Sequence, residues 1–77
     1  MNDTRDRLIG CFQAVFPHLS AQDAAKASSS RVGQWDSVAT VTLAAAVEEE
    51  FDVRFEASEI EKLDSFNAFL DRLDRSR

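Results

Sequence analysis

The sequence predicts an all-α domain, a small four-helix bundle with a long loop between helices I and II and a short helix III. Three observations predict it. Apolar residues recur at helical spacing in separate stretches of the chain. Breakers are scarce, with Gly 2 and Pro 1, and the doublet-rich turns of a β-protein are missing. Capping residues stand where the apolar patterns begin. The 77 residues hold one domain, expected over 1–77.

Leu8, Cys11, Phe12, Val15 and Phe16 lie at i, i+3, i+4, i+7 and i+8, one apolar stripe. Pro17 ends it, because proline disfavours the helical state of the residue before it. Helix I is expected over about residues 3–16. Residues 17–36 form a long connection, in which Ser20 and Asp23 resemble a capping pair and predict some coil before Ala24 and Ala25. Ser28 to Gly33 reads as irregular.

Asp36 can cap helix II, expected over about 37–51 and free of breakers from Ser37 to Phe51. Leu43, Val47 and Phe51 form a core-facing row, whereas Val38, Val41 and Ala45 form a second row nearer the surface. Asp52 to Phe55 reads as a short extended link. Ser58 and Glu61 resemble a capping box for helix III, expected over about 58–63. Ser65 can cap helix IV, expected over about 66–75, where Phe66, Phe69, Leu70 and Leu73 again follow i, i+3, i+4 and i+7. The predicted core is Leu8, Phe12, Val15, Leu43, Val47, Phe51, Ile60, Leu63, Phe69, Leu70 and Leu73.

Charge and composition exclude several functions. With Asp+Glu 14 against Lys+Arg 9, the net charge is −5. A nucleic-acid binder needs a basic stripe to neutralise phosphates, and an anionic membrane surface repels such a chain. No nucleic-acid or membrane partner is therefore expected, and a protein partner should present Arg or Lys. One Cys and one His cannot build an ordinary metal site. The charged first seven residues lead into no apolar stretch of signal-peptide length, so a cytoplasmic location is expected by default. So small a domain has little room for a deep substrate pocket, which favours a binding, carrier or adaptor module over an enzyme.

Chemistry points to Asp36-Ser37. A serine at a helix start is exposed, and a phosphate attached there meets free N–H groups and the positive end of the helix dipole. On those two residues alone, a plain helix cap is the better reading. The wider pattern changes this. Trp35-Asp36-Ser37-Val38, then Leu43, Glu48-Glu49-Glu50-Phe51, Val53 and Phe55, then Ile60, Leu63 and Ser65-Phe66, resembles the acyl carrier protein family over residues 5–73.

The resemblance implies a four-helix bundle of the acyl-carrier type. It implies that Ser37, with Asp36 as its motif neighbour, bears covalent 4′-phosphopantetheine from coenzyme A. The protein would be a carrier rather than an enzyme. It would hold an acyl, aminoacyl or related cargo as a thioester, with Leu43, Ala46, Val47, Ile60 and Leu63 lining a gap for it. Its partners would be a phosphopantetheinyl transferase, a loading ligase and downstream transferases with basic or apolar docking faces. Docking would use Trp35, Val38, Val41, Thr42, Glu48 and Glu49, although for Trp35 a packed lid over the loop is the better reading. A monomer is expected. Val38 stands where the family places leucine. Ala39 and Thr42 stand where housekeeping fatty-acid carriers place acids, which resembles the stand-alone carriers of specialised clusters.

The alternative is a small acidic helical protein-interaction module without a prosthetic group. An enzyme reading rests on His18 alone, and a lone loop histidine is normally solvated. Cys11 lies on the apolar stripe and reads as core. Acids at the end of helix II oppose its dipole, whereas Arg72, Arg75 and Arg77 at the end of helix IV suit theirs, so one or two of the glutamates are expected to serve docking.

Overall fold

The computed structural model describes residues 3–75. Arg77 and the first two residues lie outside the described residues. The described residues are mostly helical: α1 (Asp3–Val15), α2 (Ala21–Ala25), α3 (Ser37–Phe51), α4 (Ala57–Ile60) and α5 (Phe66–Arg75). No strand occurs among the described residues. A lone antiparallel bridge pairs Ser28 with Ser65.

The long connection holds one more helix than the four expected. Ser20 Oγ accepts the Asp23 N–H at 3.1 Å and starts α2, and Ala24 turns inward and is fully buried. Beyond α2 the loop is fastened to the start of α5. Ser29 N–H donates to the Asp64 carbonyl at 2.9 Å, and Phe66 N–H donates to the Ala27 carbonyl at 2.9 Å.

The short helix starts and ends earlier than expected, covering Ala57–Ile60 instead of 58–63. Glu56 is its cap: the Glu56 N–H donates to Glu59 Oε1 at 3.0 Å. Ser58 lies inside the first turn, so the Ser58–Glu61 pairing does not form. Leu63 follows in a turn, its N–H donating to the Ile60 carbonyl at 3.0 Å. At the other helix starts the caps are as expected, Asp36 for α3 and Ser65 for α5, where Ser65 Oγ accepts the Ala68 N–H at 3.0 Å. The chain leaves α3 through Asp52, held at φ 54 in the left-handed region, which aspartate adopts more readily than most residues.

The core is one cluster of side chains from α1, α2, α3, α5 and the loops. Phe12 sits at its centre. Its ring meets Trp35, Phe66 and Phe69 edge-on, with centroids 5.4, 5.3 and 5.5 Å away. Val15, Phe51, Ile60 and Leu70, expected in the core, are half-buried and pack against it from the rim. Ile9, Ala27, Val32, Trp35 and Phe55 are buried without having been predicted there. No helix among the described residues is long and apolar enough to cross a membrane.

Phe69 is fully buried between Phe12 and Phe55. Phe69→Ala should cost about 3–5 kcal/mol by removing that ring and leaving a cavity. Urea denaturation followed by circular dichroism measures the loss, and a midpoint equal to wild type would contradict this placement.

Candidate functional site

The start of α3 collects the residues with chemical potential. Asp36 is in an extended conformation and its Oδ1 accepts the Ala39 N–H at 2.8 Å. The Asp36 carbonyl accepts the Thr40 N–H at 3.0 Å and the Thr40 hydroxyl at 3.1 Å. Thr40 Oγ1 in turn accepts the Trp35 indole N–H at 2.7 Å. Ser37 is exposed and is the first helical residue. Its hydroxyl has no hydrogen-bond partner, and neither have the Ser37 and Val38 N–H groups. Free amides at a helix start favour an anion, because N–H dipoles and the helix dipole converge there.

Ser37 opens onto a groove of about 430 Å³ between α3 and α4. Trp35, Thr40, Val41, Ile60 and Leu63 line it, with Asp36, Glu61 and Asp64 among its polar residues. Ile60 and Leu63 were expected beside such a gap. Leu43 and Val47, also expected there, are fully buried in the core, and Ala46 faces a different concavity beside Cys11. The reason is helical phase: the row that faces α1 cannot also face α4.

Six residues were expected to dock partners, and they separate into two kinds. Val38 and Val41 are 70 % and 57 % exposed, a large share for such side chains, and Thr42 is exposed beside them. Glu49 is exposed and without a partner. Trp35 is 6 % exposed, so it packs instead of presenting a surface. Its ring stacks among Phe12 and Phe16, out of reach of a docking protein. Glu48 is half-buried and its carboxylate accepts the Phe55 N–H at 2.7 Å, which fastens the link after α3. Glu50 pairs with Arg7 at 2.7 Å, and the Arg7 guanidinium lies 4.4 Å from the centre of the Phe51 ring. Two of the three acids at the end of α3 therefore have partners within the protein, and Glu49 does not.

His18 is exposed in the loop, its ring 6.3 Å from that of Phe16. It lines a concavity with Lys26 and Arg31 instead of the Ser37 groove. His18 and Ser37 line different concavities, so the two are not paired. Burial raises the Cys11 thiol above its usual range, the nearby Glu50 charge raises it further, and Arg7 opposes both. A neutral buried thiol is a poor nucleophile. Among the described residues no cluster of three His, Cys, Asp or Glu is placed to hold a metal ion.

In comparisons with known proteins, the chain matches no family model, no curated protein and no solved structure.

The α4 wall of the groove is held by an ion pair across to α5. Arg72 Nε bonds Glu59 Oε2 at 2.5 Å, Arg72 also donates to the Arg54 carbonyl, and its guanidinium lies 5.2 Å from the centre of the Phe55 ring. The Glu56 N–H, and then Arg72, lower the Glu59 carboxyl below its ordinary value of 4.5. A carboxyl lowered in the folded state contributes stability above its unfolded value and loses it as pH falls through the folded value. Glu59→Gln should therefore flatten the acid limb of the stability curve below about pH 4.5. Urea midpoints from about pH 6 to about pH 2.5 test this, and identical acid limbs for the two proteins would contradict it.

Proposed function

We propose that this protein is a stand-alone acyl or peptidyl carrier, modified on Ser37 with 4′-phosphopantetheine. The observation that carries this reading is the Ser37 hydroxyl itself: exposed, unbonded, next to two free amides, and at the mouth of an apolar-walled groove. The resemblance of residues 5–73 to the acyl carrier family supports it. So does helix order: α1, α3, α4 and α5 stand for that family's four helices, with α2 inside the long loop. The residues present fit the group. The free amides suit a phosphodiester, and Val41, Ile60 and Leu63 suit an arm or cargo lying along the groove.

Attachment is a phosphoryl transfer. Ser37 Oγ forms a bond to the β-phosphorus of coenzyme A, the bond to the α-phosphate bridge oxygen breaks, and the hydroxyl proton passes to a base of the phosphopantetheinyl transferase. Positioning and charge neutralisation come from that enzyme and its Mg²⁺. When bound, the group supplies a terminal thiol for thioester cargo. Ser37 presents the attachment point and the Val38–Val41 face presents the carrier to successive partners, a loading ligase among them. The carrier itself catalyses no step. In this reading it works as a cytoplasmic monomer, without nucleic acid or membrane. The same Val38–Val41 face favours a second reading, a protein-interaction module without a prosthetic group.

Intact mass separates the two. After incubation with a promiscuous phosphopantetheinyl transferase and coenzyme A, wild type should gain the mass of one phosphopantetheine and Ser37→Ala none. A modified Ser37→Ala, or a wild type left bare by several transferases, removes the carrier reading.

Partner choice gives a further prediction. The first two turns of α3 carry no charge beyond the Asp36 cap, so docking should rest on apolar contact. Salt screens exposed charges over about 8 Å at physiological strength and leaves apolar burial intact. Val41→Asp should slow loading by the natural ligase more than Glu49→Gln, and wild-type loading should tolerate salt. Ala39→Glu with Thr42→Glu should shift recognition toward fatty-acid enzymes, measured as initial loading rates across a salt series. If Glu49→Gln is the more damaging change and added salt abolishes wild-type loading, docking is electrostatic.

A further inference from the structure

Neither the Ser37 hydroxyl nor its N–H has a hydrogen-bond partner to fix it. Asp36, Ser37 and Val38 are all exposed, so no burial of their side chains holds this end of the helix. Exposed first turns of helices fray unless something fastens them. Here the fastening runs inward. Thr40 Oγ1 uses one hydroxyl twice, as an acceptor from the Trp35 indole N–H at 2.7 Å and as a donor to the Asp36 carbonyl at 3.1 Å. Trp35 is itself anchored: its ring packs against Phe12 and Phe16, and its backbone N–H donates to the Val32 carbonyl at 2.9 Å. The residues on both sides of Ser37 are thereby connected to the aromatic core. Capping alone needs only Asp36 Oδ1 on the Ala39 N–H, which leaves the Trp35–Thr40 bond without a capping purpose.

We propose that Thr40 and Trp35 are positioning residues for Ser37, the indole–hydroxyl–carbonyl relay holding the first turn of α3 so that the Ser37 hydroxyl is presented in one place. The role rests on the carrier reading, because it concerns attachment at Ser37. Both residues also line the groove, but the role proposed here runs through the backbone at Asp36. Misplacing a reacting atom by a fraction of an ångström slows a transfer without weakening a docking surface elsewhere. The Val38 and Val41 side chains of the docking face are unaltered in these variants, and Val41 lies beyond the first turn.

The variants Thr40→Val, Thr40→Ser and Trp35→Phe remove the relay, keep it, and remove its N–H donor. Two measurements are made on each: amide hydrogen exchange of Ala39 and Thr40 by NMR, and attachment kinetics by mass with a phosphopantetheinyl transferase and coenzyme A. Thr40→Val and Trp35→Phe should exchange those amides faster and lower kcat about tenfold with KM little changed. Thr40→Ser should restore both. Leu70→Ala, on α5 away from the groove, should lower the melting temperature and still accept the group at the wild-type kcat. The role is overturned if Thr40→Val keeps wild-type protection, or loses it yet reacts at the wild-type rate. It is equally overturned if Leu70→Ala reproduces the Thr40→Val kinetics, since generic destabilisation would then suffice. A wild type that gains no mass removes the carrier reading and this role together, which distinguishes that failure from the others.

Discussion

The fold depends on the contacts of one ring. Phe12 lies where α1, the loop before α3 and α5 come together, and it meets an aromatic side chain from each neighbour. Edge-to-face pairs of this kind add about 0.5–1.5 kcal/mol each beyond area burial, and they fix relative orientation as well. The Trp35 contact does the most for the candidate site. It places the residue just before Asp36, and so sets where α3 begins and where Ser37 stands. A serine at a helix start is chemically ordinary. One whose helix start is tied to the centre of the core has a defined position relative to α4 and the groove.

Helical periodicity was legible wherever a stripe faced a single neighbour. The rows on α1 and α5 identified Leu8, Phe12, Phe69 and Leu73 because the polar face of each helix is clear. The α3 row was harder, since both sides of that helix are apolar; its inner side is Leu43, Ala44 and Val47, and its outer side keeps Val38 and Val41 in solvent. Asp36 was legible as the cap of α3 from local chemistry, whereas Ser37 was singled out by the wider residue pattern. Trp35 admitted both a packed and a docking reading, because a single aromatic residue in a loop has no period to show which way it points; the packed one holds. Its partners Phe12 and Phe16 are distant in sequence, and only chain folding brings them together. The Val32 next to Gly33-Gln34 was the available signal that the loop turns inward there.

Charge misled for a related reason. One or two of the three consecutive glutamates, Glu48 and Glu49 among them, were expected to serve docking, yet successive residues on a helix point in different directions. Glu48 faces the returning link and accepts its amide, Glu50 faces α1 and pairs with Arg7, and Glu49 faces water. The Ser58–Glu61 pattern failed differently. Glu56 and Glu59 satisfy the same spacing two residues earlier, and the chain turns at the first competent pair.

The groove beside Ser37 has walls of unequal stiffness. The α3 wall belongs to the core and moves only if Leu43 and Val47 leave it. The α4 wall is four residues long and buries none of them completely, being held by the half-buried Ile60 and the pair from Glu59 to Arg72. Its opening free energy is therefore local, at the low end of the range within a domain, and separate from that of the Phe12 cluster. Such a cleft is a compliant slot, free to widen on the α4 side while the rigid side keeps Ser37 still.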